Sequence, residues 1–300
     1  MSTGTDPLAP LAELPGVPES VAEVRKAVDR LYGHRVMRRR APEVTSEAAL
    51  RGARASAALA GADWPLEEVR RRSDFSAGEQ DRVIGGALRL SAEAGQLLSV
   101  WRTSPLQVLA RLHLLAAGEG SSAGRPRQAG EPVDELFPLE LAAAEGVAAP
   151  VAPTVQPVPV TTALPPAPMP EEAAARLDQL SRLLVARTSG AVGAAPALVV
   201  AAVVHGELLA LRPFASHNGM VARAAQRIVL ITEGLDPKAI CPAEVGLVEL
   251  GTAAYQQALA GYASGTPEGL AHWIGHCGLA LGLGVRESTA VCEAMQRGMV

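Results

Sequence analysis

Apolar positions recur at helical spacing along most of this 300-residue chain. Val21, Val24, Val28 and Leu31 fall three or four apart and predict an amphipathic helix. Ser20, followed by Glu23 three positions on, has the pattern of a capping box at its start. Further helices are predicted over 46–61, 65–72, 78–101 and 105–117, the last opened by Ser104 as cap and Pro105 in the first turn. The periodicity returns over 171–189, 196–211, 219–233, 244–263 and 268–283, with one more helix near the end.

The breaks in the pattern divide the chain. Residues 1–18 carry Pro7, Pro10, Pro15 and Pro18, which block regular helix and predict a disordered tail. Residues 19–104 then form a set of N-terminal helices, and 105–300 a larger helical core. A Gly/Ser-rich stretch at 118–132 and a stretch with eight prolines at 147–170 are irregular. The second could be a Pro-rich ligand for a partner domain, but helices flank it closely on both sides, which favours a covering loop.

Composition narrows the fold class. Hydrophobic residues make up 48% of the chain and aromatic ones only 3%, so the apolar content is mostly Ala, Leu and Val. That suits closely packed helices, and an all-α fold is expected. The net charge is −4. Basic residues are dispersed except for Arg38–Arg39–Arg40 and Arg70–Arg71–Arg72, and without interleaved aromatics each triplet reads as a solvated helix face. Nucleic acid is therefore not an expected partner. Lys26 and Lys238 are the only lysines, and with abundant Arg and Ala this suggests a GC-rich bacterial source. Cys241, Cys277 and Cys292 are odd in number and in no CxxC spacing, which fits a reducing cytoplasm. The start of the chain has neither basic residues nor an apolar run, and the longest apolar run, 197–204, is far short of a membrane span. A soluble, cytoplasmic protein is expected.

Two familiar patterns carry little weight. Gly120, Ser122 and Gly124 match GxSxG, but a nucleophile elbow needs a strand before it, and here a helix precedes. His272 and His276 stand one helical turn apart, yet the glutamate of HExxH is absent and Trp273 and Ile274 between them look like core, so no metal site is expected. The informative segment is 196–237. A helix there must end before Pro213, and RPFASHNG then turns sharply into an Ala-rich helix. Unpaired N–H groups and the dipole at that helix start form a cradle for phosphate or carboxylate, with Arg223 one turn inside as a bidentate donor.

Residues 212–223, RPFASHNGMVAR, resemble the Fic signature HPFx[D/E]GNGRxxR without gaps: Pro213, Phe214, Asn218, Gly219 and Arg223 match. The run AAVVHGELLALRPF upstream, with His205, is similar to the family's lead-in helix, and LHLLAAGEGSSAGRPR to its helix and Gly-Arg loop. The likeness spans roughly 105–280. It implies a Fic (Fido) helical bundle, with room for a short β-hairpin flap. In the family the motif histidine deprotonates a Ser, Thr or Tyr hydroxyl of a target protein, which attacks the α-phosphate of ATP. The acidic residue holds Mg²⁺, the asparagine and loop amides hold phosphate oxygens, and the last arginine grips the terminal phosphate.

This chain departs from the signature at four positions. Arg212 stands for the histidine, Ser216 for the acid, His217 for a glycine and Met220 for the first arginine. Arginine stays protonated and cannot be a general base, and without the carboxylate a bound Mg²⁺ is not expected. The family's inhibitory pattern [S/T]xxxE[G/N] is similar to residues 56–61, SAALAG, with Ser56 and Gly61 in place and Ala60 where glutamate would stand; an ordinary Ala-rich helix reads the same way. The resemblance therefore implies a catalytically impaired module that binds ATP, another nucleotide or a phosphate ligand through Ser216, Asn218, Gly219 and Arg223, and that meets a partner protein. The alternative is a divergent nucleotidyltransferase with His217 as its base.

Overall fold

In the computed structural model, residues 6–120, 122–146, 164–188 and 194–298 are described. Twelve helices run through them: α1 (Val17–Tyr32), α2 (Met37–Leu59), α3 (Leu66–Arg71), α4 (Glu79–Glu93), α5 (Leu98–Trp101), α6 (Pro105–Ala117), α7 (Pro170–Arg187), α8 (Ala197–Leu211), α9 (Asn218–Thr232), α10 (Ala243–Leu250), α11 (Thr252–Ser264) and α12 (Pro267–Gln296). The fold is all-α, and no strand occurs among the described residues. The β-hairpin flap therefore has no counterpart there.

The most apolar helices form the centre. Eleven residues of α8 and twelve of α9 are buried, so these two are hydrophobic nearly all round and pack on each other. α6, α2 and α4 cover α9, while α11 and α12 cover α8. α12 is the long strut, lying against α1, α10 and α11. Its crossing with α10 is backbone-close: a Cβ added at Gly246 would lie 2.0 Å from the Ala280 carbonyl oxygen, so only glycine permits it.

Several boundaries differ from those the sequence predicts. The first helix begins at Val17, after Gly16 in left-handed geometry, so Ser20 lies inside it and caps nothing. The predicted helix 46–61 is the second part of α2, which starts at Met37 and kinks at Arg40 ahead of Pro42. The predicted 78–101 helix breaks at a 3₁₀ turn, Ala94–Gln96. The predicted 244–263 helix breaks at Gly251, whose φ of 82° ends α10. The two predicted C-terminal helices are one, α12.

The expected disordered tail is folded from Asp6 onward. A short 3₁₀ helix spans Ala9–Glu13, and Asp6 is 1% exposed. Its carboxylate accepts from Leu8 N (3.0 Å) and from Ala195 N (2.7 Å), and forms an ion pair with Arg187 at the end of α7. Pro18, expected to block helix, lies in the first turn of α1, where proline is tolerated, and ahead of it a buried charge pinned by three partners holds the segment in place. Of the Pro-rich stretch 147–170, residues 147–163 lie outside the described residues; 164–169 run up to α7.

Candidate functional site

The α8–α9 connection is a six-residue bend, and its shape comes from its ends. Arg212 caps α8 in left-handed geometry (φ 44°), and His217 precedes α9 in the same region (φ 59°). Both side-chain types pay for that conformation, histidine less than arginine. Asn218 locks the bend from inside. Its Oδ1 accepts from Phe214 N (3.0 Å) and its Nδ2 donates to Phe214 O (2.7 Å). Phe214, 2% exposed, is stacked on the wholly buried ring of His113 from α6, with centroids 4.1 Å apart.

At the start of α9, where the sequence predicts a cradle for phosphate or carboxylate, the structure has a carboxylate of the chain itself. Asp134 accepts from Asn218 Nδ2 at 2.6 Å and from the Asn218 backbone N–H at 3.2 Å. This is the placement in which a helix N-terminus stabilises an anion. Asp134 N donates to Ala215 O (3.2 Å) and Arg127 N to Pro213 O (2.9 Å), so residues 127–134 are tied to the bend by their backbone. Both N–H groups of the Asn218 amide are thus engaged.

Arg223 does not face the opening of the bend. It is 2% exposed, and its guanidinium lies over the first turn of α9, where a Cβ on Gly219 would come within 3.0 Å of Nη1. From there Nε donates to Ser56 Oγ (3.0 Å) and Nη2 to Ser56 O (2.9 Å). The geometry of α2 explains why that carbonyl is available. Ala60 N turns to Ala57 O instead, leaving Ser56 O among the unpaired carbonyls of the last turn. The negative end of the α2 dipole and this carbonyl compensate a buried cation that has no ion-paired carboxylate among the described residues.

Truncating Arg223 to alanine should therefore lower stability by about 2–4 kcal/mol, since it leaves the Ser56 carbonyl and hydroxyl buried without a donor and opens a void. Urea unfolding measures this directly. A loss below about 0.5 kcal/mol, the ordinary value for an exposed site, would contradict the placement.

The remaining predicted residues are spread around the bend. The Arg212 Nη2 donates to Pro165 O (2.6 Å), while its Nε is buried without a partner among the described residues. Burial lowers its pKa, opposed by nearby Asp134, and Arg127 lowers it further. Ser216 Oγ and His217 Nδ1 are 2.8 Å apart. His217 has its pKa lowered by burial first and by Arg89 second, which favours the neutral imidazole. Ala60 and Gly61 end α2; Ser56 alone of that set touches the motif. The donor set suits magnesium poorly: Ser216 offers a neutral oxygen, and the oxygens of Asp134 are bonded to Asn218.

Residues of the two patterns set aside in the sequence make hydrogen-bond and packing contacts. Gly124 N donates to His113 Nδ1 (3.0 Å), and no strand precedes it among the described residues. His276 is 1% exposed, stacked against Tyr255 and lowered to about 3 by burial and His272. Likewise His205 is buried, 2.6 Å from the Tyr255 hydroxyl.

The architecture can be compared with solved structures. A Fic family protein from Desulfovibrio desulfuricans G20 is similar over 92% of this chain and 75% of its own, with TM-score 0.67 and 21% identity. Fic-1 from C. elegans (aa134–508) is similar over 93% and 73%, with TM-score 0.59 and 13% identity. A Fic domain containing signaling protein from Bacteroides thetaiotaomicron VPI-5482 is similar over 92% and 97%, with TM-score 0.55 and 12% identity. The fold is of the Fic type. No protein-family profile matches the sequence. No curated protein matches it either.

Within this Fic-type fold, three residues that the sequence did not single out matter at the bend: Asp134, Arg127 and His113. Arg127 is 8% exposed, and its Nε donates to the Arg212 carbonyl (2.8 Å) while Nη2 bonds Pro168 O. Asp134 stands in an irregular segment with no periodicity to point to it.

Asp134 also gives a pH signature. Burial raises its pKa above the ordinary 3.8, outweighing the hydrogen bonds from Asn218 that lower it. The folded state then binds this proton more tightly than the unfolded one, so the ionised group costs stability at neutral pH and the cost is relieved as pH falls through the folded pKa. The stability of the wild type relative to Asp134→Asn should thus rise between about pH 7 and about pH 4, because the amide does not titrate. Parallel urea unfolding of both proteins across that range checks the sign.

Proposed function

We propose that this chain is a catalytically impaired regulatory module built on a Fic-type fold, which binds a nucleotide or other phosphate ligand at the start of α9 and acts on a partner protein without transferring AMP. The observation that carries this reading is the pairing of two features in one bend. A guanidinium stands where the motif has its proton acceptor, and the helix start beside it carries donors that bond a carboxylate, which supports the reading. ATP is the natural candidate; the donor set argues against a resident Mg²⁺.

The experiment has two arms. Purified protein is incubated with α-labelled ATP and candidate targets, and its melting temperature is followed with ATP, other nucleotides and pyrophosphate. The reading expects no transfer and a ligand-dependent rise in melting temperature. Transfer at rates typical of enzymes, or no rise with any phosphate compound at millimolar concentration, would remove it.

A second reading keeps the chemistry. His217 is held neutral by burial and touches Ser216 Oγ, so it has the protonation state of a base. In that case labelling from ATP would be present and would vanish in His217→Ala.

A further inference from the structure

The two arginine triplets that read alike in the sequence differ in the fold. Arg70 pairs with Glu47 and Glu67, and Arg72 pairs with Asp81 while its guanidinium lies 4.6 Å from the centroid of the Trp64 ring. In the other triplet only Arg40 finds an acid, Glu43; Arg38 and Arg39 are exposed and form no ion pair among the described residues. They belong to a larger cluster that the fold assembles at the corner between α1 and α2. Arg25, Lys26 and Arg30 stand exposed on the outer face of α1, opposite the buried Val24, Val28 and Leu31, and Arg35 stands exposed in the turn. Exposed Lys238 is brought to the same corner from far along the chain: its N–H donates to Tyr32 Oη (2.9 Å) at the end of α1, and its carbonyl accepts from Thr45 Oγ1 (3.1 Å) of α2.

Residues 25–40 hold seven basic side chains against one acidic, Asp29, in a chain whose net charge is −4. Most arginines elsewhere hold ion pairs, as Arg51, Arg54, Arg111, Arg125, Arg176 and Arg227 do. Acid is concentrated in another stretch, since residues 128–175 carry seven acidic side chains and no Lys or Arg. The charge of this molecule is therefore segregated, and crowded like charges at the corner repel one another. A partner that brings several negative charges at once relieves that repulsion.

The identity of that partner follows from what the corner lacks. A protein interface is built around apolar or aromatic anchors, and membrane insertion needs an apolar face. The large exposed apolar side chains, Val100, Leu106, Leu114, Leu139 and Met169, all lie elsewhere in the chain. Single-strand binding uses free aromatic rings as stacking platforms. The rings at this corner are part-buried and engaged, Tyr32 donating to Asp236 Oδ1 (2.6 Å) and His34 Nδ1 accepting from Val36 N (3.3 Å). A duplex backbone asks for neither feature: it presents one negative charge per about 1.7 Å of axis, and guanidinium groups bond its oxygens in pairs. We infer that the α1–α2 corner is a docking surface for double-stranded nucleic acid, held through its phosphates without reading of sequence. The inference is independent of the ligand proposed at the start of α9. Nucleic acid is not expected from the sequence because basic residues look dispersed there; the fold gathers Lys238 and the run from Arg25 to Arg39 into one place, which removes that ground.

The test measures binding of the full chain to a labelled duplex of about 20 base pairs by fluorescence anisotropy, at salt concentrations from about 50 to 200 mM. Arg38→Ser with Arg39→Ser removes two cations of the corner. Arg71→Ser with Arg82→Ser removes two exposed cations elsewhere that form no ion pair among the described residues, and so matches the change in net charge. Melting curves verify that both variants are folded. Wild type should bind, with affinity falling about 10²- to 10³-fold across that range for about five phosphates engaged. The variant at 38 and 39 should bind about tenfold or more weakly and with a shallower salt dependence, and the variant at 71 and 82 like wild type. No binding at about 50 mM salt, or equal losses in the two variants, would overturn the inference. Tighter binding to phosphatidylserine vesicles or to a polyglutamate peptide than to the duplex would overturn it as well, by assigning the corner to a membrane or to an acidic protein.

Discussion

Replacing Arg212 by His, Ser216 by Glu and His217 by Gly in one protein should raise AMP transfer from ATP by about 10² to 10⁴ over wild type, the contribution of a positioned general base. The backbone can accept these changes. Position 212 has φ 44°, where histidine is among the tolerated residues, and position 217 has φ 59°, where glycine is unstrained. The glutamate supplies the anionic oxygen that Ser216 lacks. Met220 is best left alone, because it is 1% exposed and lines a cavity of about 10 Å³ between α2, α4 and α9 together with Ser56, Arg227 and Glu244. An arginine there would bring another cation into a space for one water at most. Transfer is measured with α-labelled ATP on the protein itself and on candidate targets. If the restored motif stays below about tenfold over wild type, the substitutions at 212, 216 and 217 are not what silences the site. Repeating the experiment in an Asp134→Ala background then tells whether the internal carboxylate is.

Removing the carboxylate of Asp6 should cost about 3 kcal/mol, a drop in melting temperature of roughly 5–10 °C. Asp6 and Arg187 have side chains 0% and 5% exposed, and breaking so buried a pair from one side is strongly destabilising. Two backbone N–H groups, of Leu8 and Ala195, would lose their acceptor as well. Arg187 retains Glu233 at 3.1 Å, which keeps the estimate at the lower end of that class. Asp6→Ala compared with Glu13→Ala, a change outside this network, isolates the effect in thermal melts. A shift under 1–2 °C for Asp6→Ala would show that the segment before α1 contributes little, as its prolines suggest at first sight.

The two results bear on how far the sequence could be read. Helix content was legible because amphipathic spacing is local, and the all-α class followed from Ala-, Leu- and Val-rich composition. The bend at 212–218 was legible for the same reason: Pro213 ends one helix, and Asn218 and Gly219 start the next. Asp6 was not legible, since its acceptor role depends on Ala195, 189 positions away. Asp134 was hidden likewise: its partner Asn218 lies 84 positions on, and an aspartate in an irregular stretch looks like solvent-exposed polarity. Arg223 was placed on the correct turn but aimed the wrong way, because its direction is set by the end of α2, where Ser56 offers a carbonyl that no rule of spacing reveals. Helix joins such as α12 escaped because Gly284 reads as a break, yet there it gives the Pro242 backbone room to approach.

The contact between Ser56 and Arg223 also bears on how this protein can be divided. The natural cut by sequence falls near residue 104, between the early helices and the part that carries the motif. A fragment starting beyond it would keep the whole motif but expose a guanidinium that α2 now caps, together with the apolar flank of α9 around it. A cut there would leave Arg223 without both of its Ser56 acceptors, so the two parts are expected to be stable as one piece.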